Sequence, residues 1–398
     1  MLVGGQPDIV LMGGCGHVGL PLGLAFADRG LSVAVYDVDQ RAVDLVNQGK
    51  LPSSEPGALE VLRRVVGSSL VATTDPTVIS QAPIVCVVIG TPIGGHLSPD
   101  PQAVPRALEE VGEHFRDGQL LVLRSTVYPG VTAQVERLFV RLGLAVEVAF
   151  CPERIAEGRA MTELFQLPQI ASSRTESALS RATELFHTLT PTVVPLTPEE
   201  AELAKLFTNV WRYIKFAASN QLYMIANDFG VDFERVRTAI GVDYPRAADI
   251  AAAGFAAGPC LLKDTMQLAA FDNNNFSLGQ ASMMINEGLP QYLISRLEKV
   301  HHLEFMTVGI LGMAFKAESD DVRSSLSYKL KRLLSFKAAD VLCTDPYVSD
   351  DENLVPLDEV LERSDLLIIA APHDVYRNLD ATQPIVDIWN VVGRGVRV

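Results

Sequence analysis

Short apolar runs alternate with amphipathic helical patterns over the first half of the chain. The runs have three to six residues each and lie at 9–12, 31–36, 70–72, 84–89, 120–124 and 146–149. A strand that is apolar along its whole length is buried on both faces, and alternation with helices is typical of a parallel sheet covered on both sides. The pattern predicts an α/β domain whose ligands bind outside the carboxyl ends of the strands.

A long helical pattern begins after Thr197 and stops at Gly230. Thr197 and Glu200 have the spacing of a capping box, and Pro198 suits the first helical position. The residues 198–229 predict a helix about 48 Å long, which can join two domains and present a face to a second subunit.

Two polar residues of this helix, Lys205 and Asn209, are one helical turn apart and lie beside its apolar stripe. The sequence leaves two interpretations of Lys205 open. Its ammonium group reaches a functional cleft, or its stem extends over the protein surface with the charge in solvent.

A second, smaller series of apolar runs follows, starting at Met306 and continuing at 340–343, 366–370 and 385–388. This series predicts a second α/β unit. We therefore expect three domains, at residues 1–196, 197–300 and 301–398, and a chain of 398 residues is long enough for them.

The first strand leads into a glycine pattern, Gly14, Gly16 and Gly19, which is followed by a helical pattern and by a second strand ending on Asp37. Strand, G-x-G-x-x-G, helix, strand and acid together form the dinucleotide-binding fingerprint. Gly14 makes the turn, Gly16 lets a pyrophosphate approach and Gly19 lets the helix pack. A carboxylate at Asp37 bonds the ribose hydroxyls and repels a 2′-phosphate, so NAD is favoured over NADP.

Polar residues stand at the ends of three predicted strands: Thr91, Thr126 and Glu153. Helix capping or turn formation is the commoner role for the two threonines, and a solvated loop acid is the commoner role for Glu153. Cys151 ends a strand without a helix terminus to activate it, so we interpret it as structural.

The segment 253–265 joins a Gly/Ala run to Pro259 and Cys260 and then to a helical pattern at 261–271. This places Cys260 at a helix N-terminus, where the thiolate, which is the reactive form, is favoured. Asp264 is four residues further and shares a helix face with Cys260. Packing as a small buried hydrophobe is the alternative for this cysteine.

Composition narrows the classes of function. A net charge of −15 and a pI near 4.9 argue against a nucleic-acid partner. Five scattered cysteines without a C-x-x-C pair indicate a reducing compartment and no structural zinc. No apolar run reaches the ~18 residues that a membrane span needs, and the N-terminus lacks a signal-peptide pattern, so we expect a cytoplasmic protein that does not bind membranes.

A polar cluster follows the first strand of the second α/β series: Lys316, Asp321, Arg323, Ser324 and Ser325. The arginine fork suits a phosphate, and a nearby helix N-terminus adds donors. A surface loop held by ion pairs is the alternative.

In chain order, these motifs resemble the UDP-glucose/GDP-mannose dehydrogenase family over essentially the whole chain. The matching motifs are Gly14–Gly19, Gly90-Thr91-Pro92, Ser125-Thr126, Pro152-Glu153-Arg154 with Glu157-Gly158, Glu202–Leu206 with Asn209, Gly258–Asp264, Gly312–Lys316, Asp321–Ser325, Asp345-Pro346 and His373. The resemblance implies an α/β fold with an N-terminal Rossmann-like NAD domain at 1–196. It further implies a central long-helix dimerisation region with the catalytic cysteine at 197–300, and a C-terminal Rossmann-like nucleotide-sugar domain at 301–398.

The resemblance also implies an activity, the four-electron oxidation of the C6 alcohol of a nucleoside-diphosphate hexose, of the UDP-glucose type, to a carboxylate with two NAD. In the family's reaction, Cys260 would form a thiohemiacetal and then a thioester. Lys205 and Asp264 would stabilise the oxyanions, and Asn209 would assist them. Glu153 would act as general base in the hydrolysis of the thioester, and Thr126 would position the water. The residues implied to bind the cofactor are Gly14, Gly16, His17, Val18, Gly19, Asp37, Thr91, Thr126, Lys263 and Arg323. The residues implied to bind the substrate are Glu153, Arg154, Lys205, Asn209, Arg246, Phe255, Gly258, Phe315 and Lys316, and no metal is implied.

Two stretches depart from the family pattern. The usual G-P-G-F-G-G run reads Ala253-Gly-Phe-Ala-Ala-Gly258, and the usual R-E-S-P reads Arg323-Ser-Ser-Leu326. Fewer glycines allow fewer backbone conformations near the sugar, so the hexose and the nucleobase stay open. Arg246 matches an arginine that reaches the sugar from a neighbouring subunit in the family, which favours a homodimer.

Two other functions share part of this pattern. A two-electron hydroxyacid-type dehydrogenase would need the NAD domain and the helix lysine but not Cys260. A non-catalytic regulator that binds NAD or a nucleotide sugar would need neither Cys260 nor Glu153.

Overall fold

A computed structural model describes residues 5–91 and 99–398. Pro92 of the Gly90-Thr91-Pro92 motif lies outside the described residues. The chain divides into two units, residues 1–208 and 209–398.

The first unit is built on an eight-stranded sheet of order β3-β2-β1-β4-β5-β6-β7-β8. The strands are β1 (Ile9–Met12), β2 (Val33–Tyr36), β3 (Leu70–Thr73), β4 (Ile84–Val87), β5 (Leu120–Leu123), β6 (Glu147–Phe150), β7 (Gln169–Ser173) and β8 (Val193–Leu196). The strand order reverses between β1 and β4, and this reversal opens the crevice where ligands of open α/β sheets bind.

The first six strands confirm the apolar runs, with ends that shift by up to two residues. The last two strands were not predicted. The expectation of a parallel sheet needs one correction, because β7 pairs antiparallel with β6 while the other neighbouring strands run parallel. The polar sequence of β7 and the proline within β8 hide both strands from a search for apolar runs.

Alternate residues of each strand enter two separate hydrophobic clusters. Ile9 and Leu11 of β1 pack in one cluster, and Val10 and Met12 pack in the other. Both faces of the sheet are therefore covered, as the apolar runs predict. The helices of this unit are α1 (Gly19–Asp28), α2 (Gln40–Asn47), α3 (Ala58–Val65), α4 (Ala103–Glu110), α5 (Val131–Leu142), α6 (Ala160–Gln166) and α7 (Glu176–His187).

The long helix α8 (Pro198–Asp228) contains the boundary between the two units. Its capping box is confirmed, since the Thr197 N–H donates to Oε2 of Glu200 at 2.8 Å and the Glu200 N–H donates to Oγ1 of Thr197 at 3.4 Å. The helix ends one residue before the predicted end and is about 46 Å long at 1.5 Å per residue.

The second unit contains three further helices and then a four-stranded parallel sheet of order β10-β9-β11-β12. The helices are α9 (Phe233–Gly241), α10 (Leu261–Phe271) and α11 (Ser277–Leu297), and α10 has the predicted bounds. The remaining elements are β9 (Thr307–Leu311), α12 (Leu326–Leu334), β10 (Asp340–Thr344), α13 (Leu357–Arg363), β11 (Leu366–Ile369) and β12 (Ile385–Asp387).

Across residues 5–91 and 99–398, no helix combines the length and the apolar character needed to cross a membrane.

Candidate active site

The glycine pattern after β1 forms a tight turn with room for a ligand. A Cβ atom on Gly14 would lie 2.7 Å from Cγ1 of Val35, and one on Gly19 would lie 2.6 Å from Cα of Gly14, so neither position accepts a side chain. A Cβ on Gly16 would meet only one neighbouring atom, at 3.9 Å. The positive φ of the turn is at Gly13 (75°), so Gly13 rather than Gly14 makes the turn. Gly14 is required by the close approach of β1 and β2.

Asp37 lies at the carboxyl end of β2 and faces this turn. Its Oδ2 accepts the Cys15 N–H at 2.9 Å, and its Oδ1 accepts the Asp39 N–H at 3.1 Å. An ionised carboxylate has about four acceptor positions, so two remain for ribose hydroxyls. The turn and the acid fit a dinucleotide, with the pyrophosphate over Gly16 at the N-terminus of α1.

The residues inside the glycine pattern are also fixed. Nδ1 of His17 lies 3.1 Å from Oε1 of Glu157, and Val18 is the N-cap residue of α1. His17 thus joins the turn after β1 to the Glu157-Gly158 motif.

The loops after β4 and β5 are tied to each other. The Thr91 hydroxyl donates to the Thr126 carbonyl oxygen at 2.6 Å, and the Ser125 hydroxyl donates to the Ile89 carbonyl oxygen at 2.8 Å. Neither threonine is an N-cap, since α4 begins after Gln102 and α5 after Gly130. The two threonines thus line up at one edge of the sheet.

Glu153 is buried and fixed at the end of β6. Its Oε2 accepts from the guanidinium of buried Arg124, and its Oε1 accepts the N–H groups of Arg154 at 2.7 Å and Ile155 at 3.1 Å. Three of about four acceptor positions of the carboxylate are occupied, which leaves one for a water. Glu153 is therefore not a solvated loop acid.

Two arginines surround this carboxylate. Arg124 also donates to Oε1 of Gln169 at 3.0 Å and stacks 4.6 Å over the Phe186 ring. The Arg154 guanidinium donates to the carbonyl oxygen of Pro168.

Cys260 is exposed and is the N-cap residue of α10. All five cysteines lie in the described residues, and the other four are buried. Burial raises the pKa of the Cys151 thiol to about 12, which confirms that Cys151 is unsuited to act as a nucleophile. Cys260 is thus the one cysteine with the exposure and the helix terminus that a reactive thiolate needs.

Asp264, one turn into α10, is fully buried and bound to α8. Nδ2 of Asn209 donates to its Oδ2 at 2.6 Å, and Nζ of Lys263 lies 3.4 Å from its Oδ1. A short bond from an amide to a buried carboxylate fixes the orientation of both side chains.

Lys205 is buried, which excludes the surface lysine considered from the sequence. One turn before it, buried Glu202 accepts the N–H groups of Gly130 at 2.6 Å and Thr132 at 2.8 Å. This carboxylate binds at the N-terminus of α5, where a helix favours negative charge. Glu202 therefore anchors the first turns of α8, the helix that carries Lys205.

The Gly/Ala run before Cys260 is held by an asparagine that sequence reasoning missed. Buried Asn220 donates to the Gly254 carbonyl oxygen and accepts the Gly254 N–H, both at 3.0 Å. Trp389 covers Gly254 and would clash with any Cβ there, and its ring packs edge-on against Phe255 at 6.5 Å. Phe255 is thus part of the core of this unit.

Gly258 packs directly under an aromatic ring. Its φ is +99°, and a Cβ there would lie 2.6 Å from Cδ2 of Phe315. Lys316 lies with its Nζ 5.2 Å from the centroid of the same ring. Phe315 and Lys316 are therefore placed beside the segment that leads into Cys260.

Two predicted arginines have local partners. The Arg323 fork binds Asp321, with Nη2 2.6 Å from Oδ2, in agreement with the ion-pair alternative. The loop ends where Ser325 caps α12. Arg246 is exposed and donates to the Tyr244 hydroxyl at 2.8 Å.

Sequence reasoning missed the supporting residues Arg124, Glu202, Asn220 and Trp389. A signal existed for two of them. Arg124 directly follows an apolar strand, and Asn220 lies three turns after Asn209 on the same helix face. Both positions are expected to be buried, where a polar residue is unusual and therefore indicates a specific partner. Glu202 was noticed only within a motif, and Trp389 had no local signal.

The sheet order around β1 and β4, the glycine turn and the acid after β2 define a dinucleotide-binding domain. Comparison with known proteins shows the family to which the whole chain belongs. Residues 9–190, 199–288 and 309–394 match the NAD binding domain, the central domain and the UDP binding domain of the UDP-glucose/GDP-mannose dehydrogenase family. The chain belongs to this family and is an NAD-dependent nucleotide-sugar dehydrogenase.

Its relatives include enzymes that act on two different sugars. The UDP-N-acetyl-D-mannosamine dehydrogenase of Pyrococcus horikoshii is 28% identical, and the match covers 96% of this chain and 92% of the relative. The UDP-glucose 6-dehydrogenase of Haloferax volcanii is 30% identical, with 92% of each chain covered. A solved UDP-glucose dehydrogenase from Pyrobaculum islandicum is 29% identical, with a TM-score of 0.89 over 97% of this chain and 95% of its own.

Proposed function

We propose that this protein oxidises the C6 alcohol of a UDP-hexose to the carboxylate in two successive steps, through a covalent thioester on Cys260. The observation that carries the proposal is the placement of Cys260, the exposed cysteine of the chain, at the start of α10, one turn before the buried Asp264 that Asn209 holds.

A thiol is needed because of the second oxidation. A hydride can leave only from a tetrahedral carbon whose oxygen can become a carbonyl, so an aldehyde must first form an adduct. The Cys260 thiolate adds to the aldehyde carbon and gives a thiohemiacetal. Loss of a hydride from that carbon gives a thioester, and water then releases the carboxylate and restores the thiol.

The polar residues of α8 and α10 have complementary roles in this proposal. The Lys205 ammonium stabilises the oxygen that becomes negative in the alcohol oxidation and in the thiohemiacetal. Asn209 and Asp264 act as a fixed pair that orients this charge and a water. Glu153, with one acceptor position left, takes the proton of the hydrolytic water, and Thr126 helps to place that water.

The NAD site is assigned to the turn at Gly14, Gly16 and Gly19 and to Asp37. Bound NAD supplies the acceptor for the hydride in each oxidation. His17, Val18 and Thr91 line the same edge of the sheet in this proposal, and Lys263 and Arg323 complete the set of cofactor contacts.

The substrate site is assigned to the second unit. Phe315 and Lys316 hold the nucleotide sugar beside Gly258, and Phe255 supports this wall from the core. Arg154, which belongs to the first unit, is assigned to the sugar on the family resemblance alone. The family's UDP binding domain at 309–394 supports a uridine nucleotide.

Two hexoses are candidates, glucose and N-acetylmannosamine, because relatives of both kinds cover almost the whole chain. We propose UDP-glucose as the first substrate. The test is NADH formation, followed by absorbance, with UDP-glucose, UDP-N-acetylmannosamine, dTDP-glucose and GDP-mannose at equal concentrations. The fastest NADH formation with UDP-glucose supports the proposal, the fastest formation with another of the four contradicts the choice of UDP-glucose, and NADH from neither UDP-sugar contradicts a UDP-hexose substrate.

We also propose a homodimer formed by the central region. Four large hydrophobic residues of the second unit are exposed: Trp211 and Ile225 on α8, Phe229 just after α8, and Val242 just after α9. Exposed large apolar side chains on and near a long helix favour packing against another subunit, so a second copy is the expected partner. Exposed Arg246 lies in the same region and would reach the sugar of the partner. A monomer by light scattering at micromolar concentration would contradict this.

The three matched family regions support a functional division into 1–196, 197–300 and 301–398. Each matched region falls inside one of these three ranges.

A further inference from the structure

A buried pair in the second unit, Asp345 and His373, takes no part in the chemistry proposed above. Both side chains have no exposed surface, and Nε2 of His373 lies 3.1 Å from Oδ2 of Asp345. Burying a carboxylate and an imidazole is costly unless every polar atom has a partner. The hydrogen-bond partners of Asp345 and His373 show which backbone segment the two side chains hold in place.

The hydrogen bonds assign the protonation of His373. The Glu318 N–H donates to Nδ1 of His373 at 3.0 Å, so Nδ1 carries no proton. The proton is therefore on Nε2, which donates to Asp345. The imidazole also packs against two aromatic rings, the tilted ring of Tyr347 with centroids 5.0 Å apart and the roughly perpendicular ring of Tyr376 with centroids 5.7 Å apart.

Asp345 holds the start of the loop that follows β9. Its Oδ2 accepts the N–H groups of Met313 at 2.6 Å and Ala314 at 2.9 Å, and its Oδ1 accepts that of Tyr347 at 2.8 Å. Burial acts to raise the pKa of the Asp345 carboxyl, but the bonds from His373 and these backbone groups outweigh it and lower the pKa overall.

His373 holds the middle of the same loop at a strained residue. Glu318 has a φ of +54°, which is unfavourable for a side chain with a Cβ. Such a conformation persists only when its surroundings fix it. Besides the bond to His373, the Glu318 carboxylate accepts the Asp374 N–H at 2.8 Å and the Tyr347 hydroxyl.

The loop between 312 and 325 in turn touches the segment before Cys260 at two places. The Phe315 ring packs on the face of Gly258 where a side chain would stand. The Ser324 carbonyl oxygen accepts the Gly258 N–H at 3.4 Å, and Ser324 is itself at a φ of +54°. Gly258 is two residues before Cys260.

We propose that His373 is a positioning residue for the nucleotide sugar. Through the Glu318 N–H it fixes the loop 312–325, and the loop holds Phe315 against Gly258 and Lys316 over the Phe315 ring. The inference rests on the proposed function, because it assigns Phe315 and Lys316 to the substrate site.

Two amide substitutions at His373 distinguish the effect of the hydrogen bond at Nδ1 from the effect of the hydrogen bond at Nε2. In His373→Asn, the amide oxygen can take the place of Nδ1 and accept the Glu318 N–H, while Asp345 keeps its backbone donors. In His373→Gln, the amide nitrogen can take the place of Nε2 and donate to Asp345, but the Glu318 N–H loses its acceptor. His302→Asn is the matched control, since His302 is exposed and precedes β9, whereas the loop 312–325 follows β9.

The measurements are the KM for the UDP-sugar that the wild-type enzyme oxidises, kcat, and amide hydrogen exchange of 312–325 in the full chain. We expect KM to rise about tenfold in His373→Gln and to stay within about threefold in His373→Asn, as the loss of one buried hydrogen bond predicts. The rise in KM should exceed the fall in kcat, and exchange of 312–325 should accelerate in the Gln variant only. Equal KM values in the two variants, or unchanged exchange in His373→Gln, would overturn the proposal.

A milder variant covers the case in which the Gln protein does not fold. Tyr347→Phe removes the hydroxyl bond to Glu318 at a partly exposed residue, and we expect it to accelerate exchange of 312–325 while the exchange of α10 and α11 stays unchanged. No acceleration would count against the role of Glu318. If the wild-type enzyme oxidises no nucleotide sugar, the proposed function fails, and the exchange measurements still decide whether His373 fixes the loop.

Discussion

Nδ2 of Asn209 donates to Oδ2 of Asp264 at 2.6 Å, and this bond joins α8 to α10 beneath the cysteine at the start of α10. Asp264 has no exposed surface, so its charge depends on protein partners. Within the second unit, the pair therefore holds the first turn of α10 to Asn209 of α8.

Asn209→Ala should lower the free energy of unfolding by about 1–3 kcal/mol or more, because it leaves a buried carboxylate oxygen without its donor. Urea denaturation measures the loss. Thr208→Ala is the control on the same helix, since Thr208 is exposed, and its effect should stay within about 0.5 kcal/mol. Equal effects of the two substitutions would contradict the importance of the pair.

Iodoacetamide should modify one thiol of the folded protein quickly. Cys260 is exposed, whereas burial raises the pKa of Cys15 to about 12 and that of Cys343 to about 11, so these thiols stay protonated and inaccessible. Mass spectrometry counts the adducts, and the unfolded protein should react at all five cysteines. Two or more rapid adducts on the folded protein, or undiminished labelling of Cys260→Ser, would refute the assignment.

Asp37→Arg should weaken NAD binding by about tenfold to a hundredfold, since it removes a charged acceptor for the ribose hydroxyls. Asp37→Asn should weaken it less, because one oxygen can still accept the Cys15 N–H. The Kd comes from calorimetry. Asp44→Arg makes the same charge change at an exposed position of α2 and serves as control, and similar Kd values for Asp37→Arg and Asp44→Arg would argue against the site.

Gly258→Ala should destabilise the second unit by about 1–3 kcal/mol, because alanine at a φ of +99° is strained and its methyl group meets Phe315. It should also raise KM for the UDP-sugar. Gly288→Ala in α11 is the matched control, since a Cβ there meets no atom within 4 Å, and it should stabilise the helix by about 0.5–1 kcal/mol. The urea midpoints of the two variants should therefore shift in opposite directions. A stabilised Gly258→Ala protein would contradict the packing described here.

The sequence was most informative where a local rule acts alone. The glycine turn, the strand that ends on Asp37, the capping box at Thr197 and the helix after Cys260 each depend on neighbouring residues, and all were predicted. The antiparallel strand β7 was missed because its pairing with β6 depends on tertiary contacts and not on a local sequence pattern. Its polar residues gain partners only in the folded sheet, as when the Ser172 hydroxyl donates to the Phe150 carbonyl oxygen at 2.7 Å.

The support of the site was least predictable from the sequence. Asn220 binds Gly254 across 34 positions, and Trp389 covers the same glycine from the end of the chain. Such contacts have no periodicity, and each needs the fold before it can be recognised. The resemblance to a family named the residues of the site, whereas the contacts that hold those residues came from the structure.

The number of NADH formed for each nucleotide sugar consumed tests the central proposal most directly. With limiting UDP-sugar and excess NAD, we predict two NADH for each sugar and a uronate product. We also predict that Cys260→Ser forms uronate far more slowly than the wild-type enzyme. One NADH for each sugar, or normal uronate formation by Cys260→Ser, would contradict the thioester mechanism.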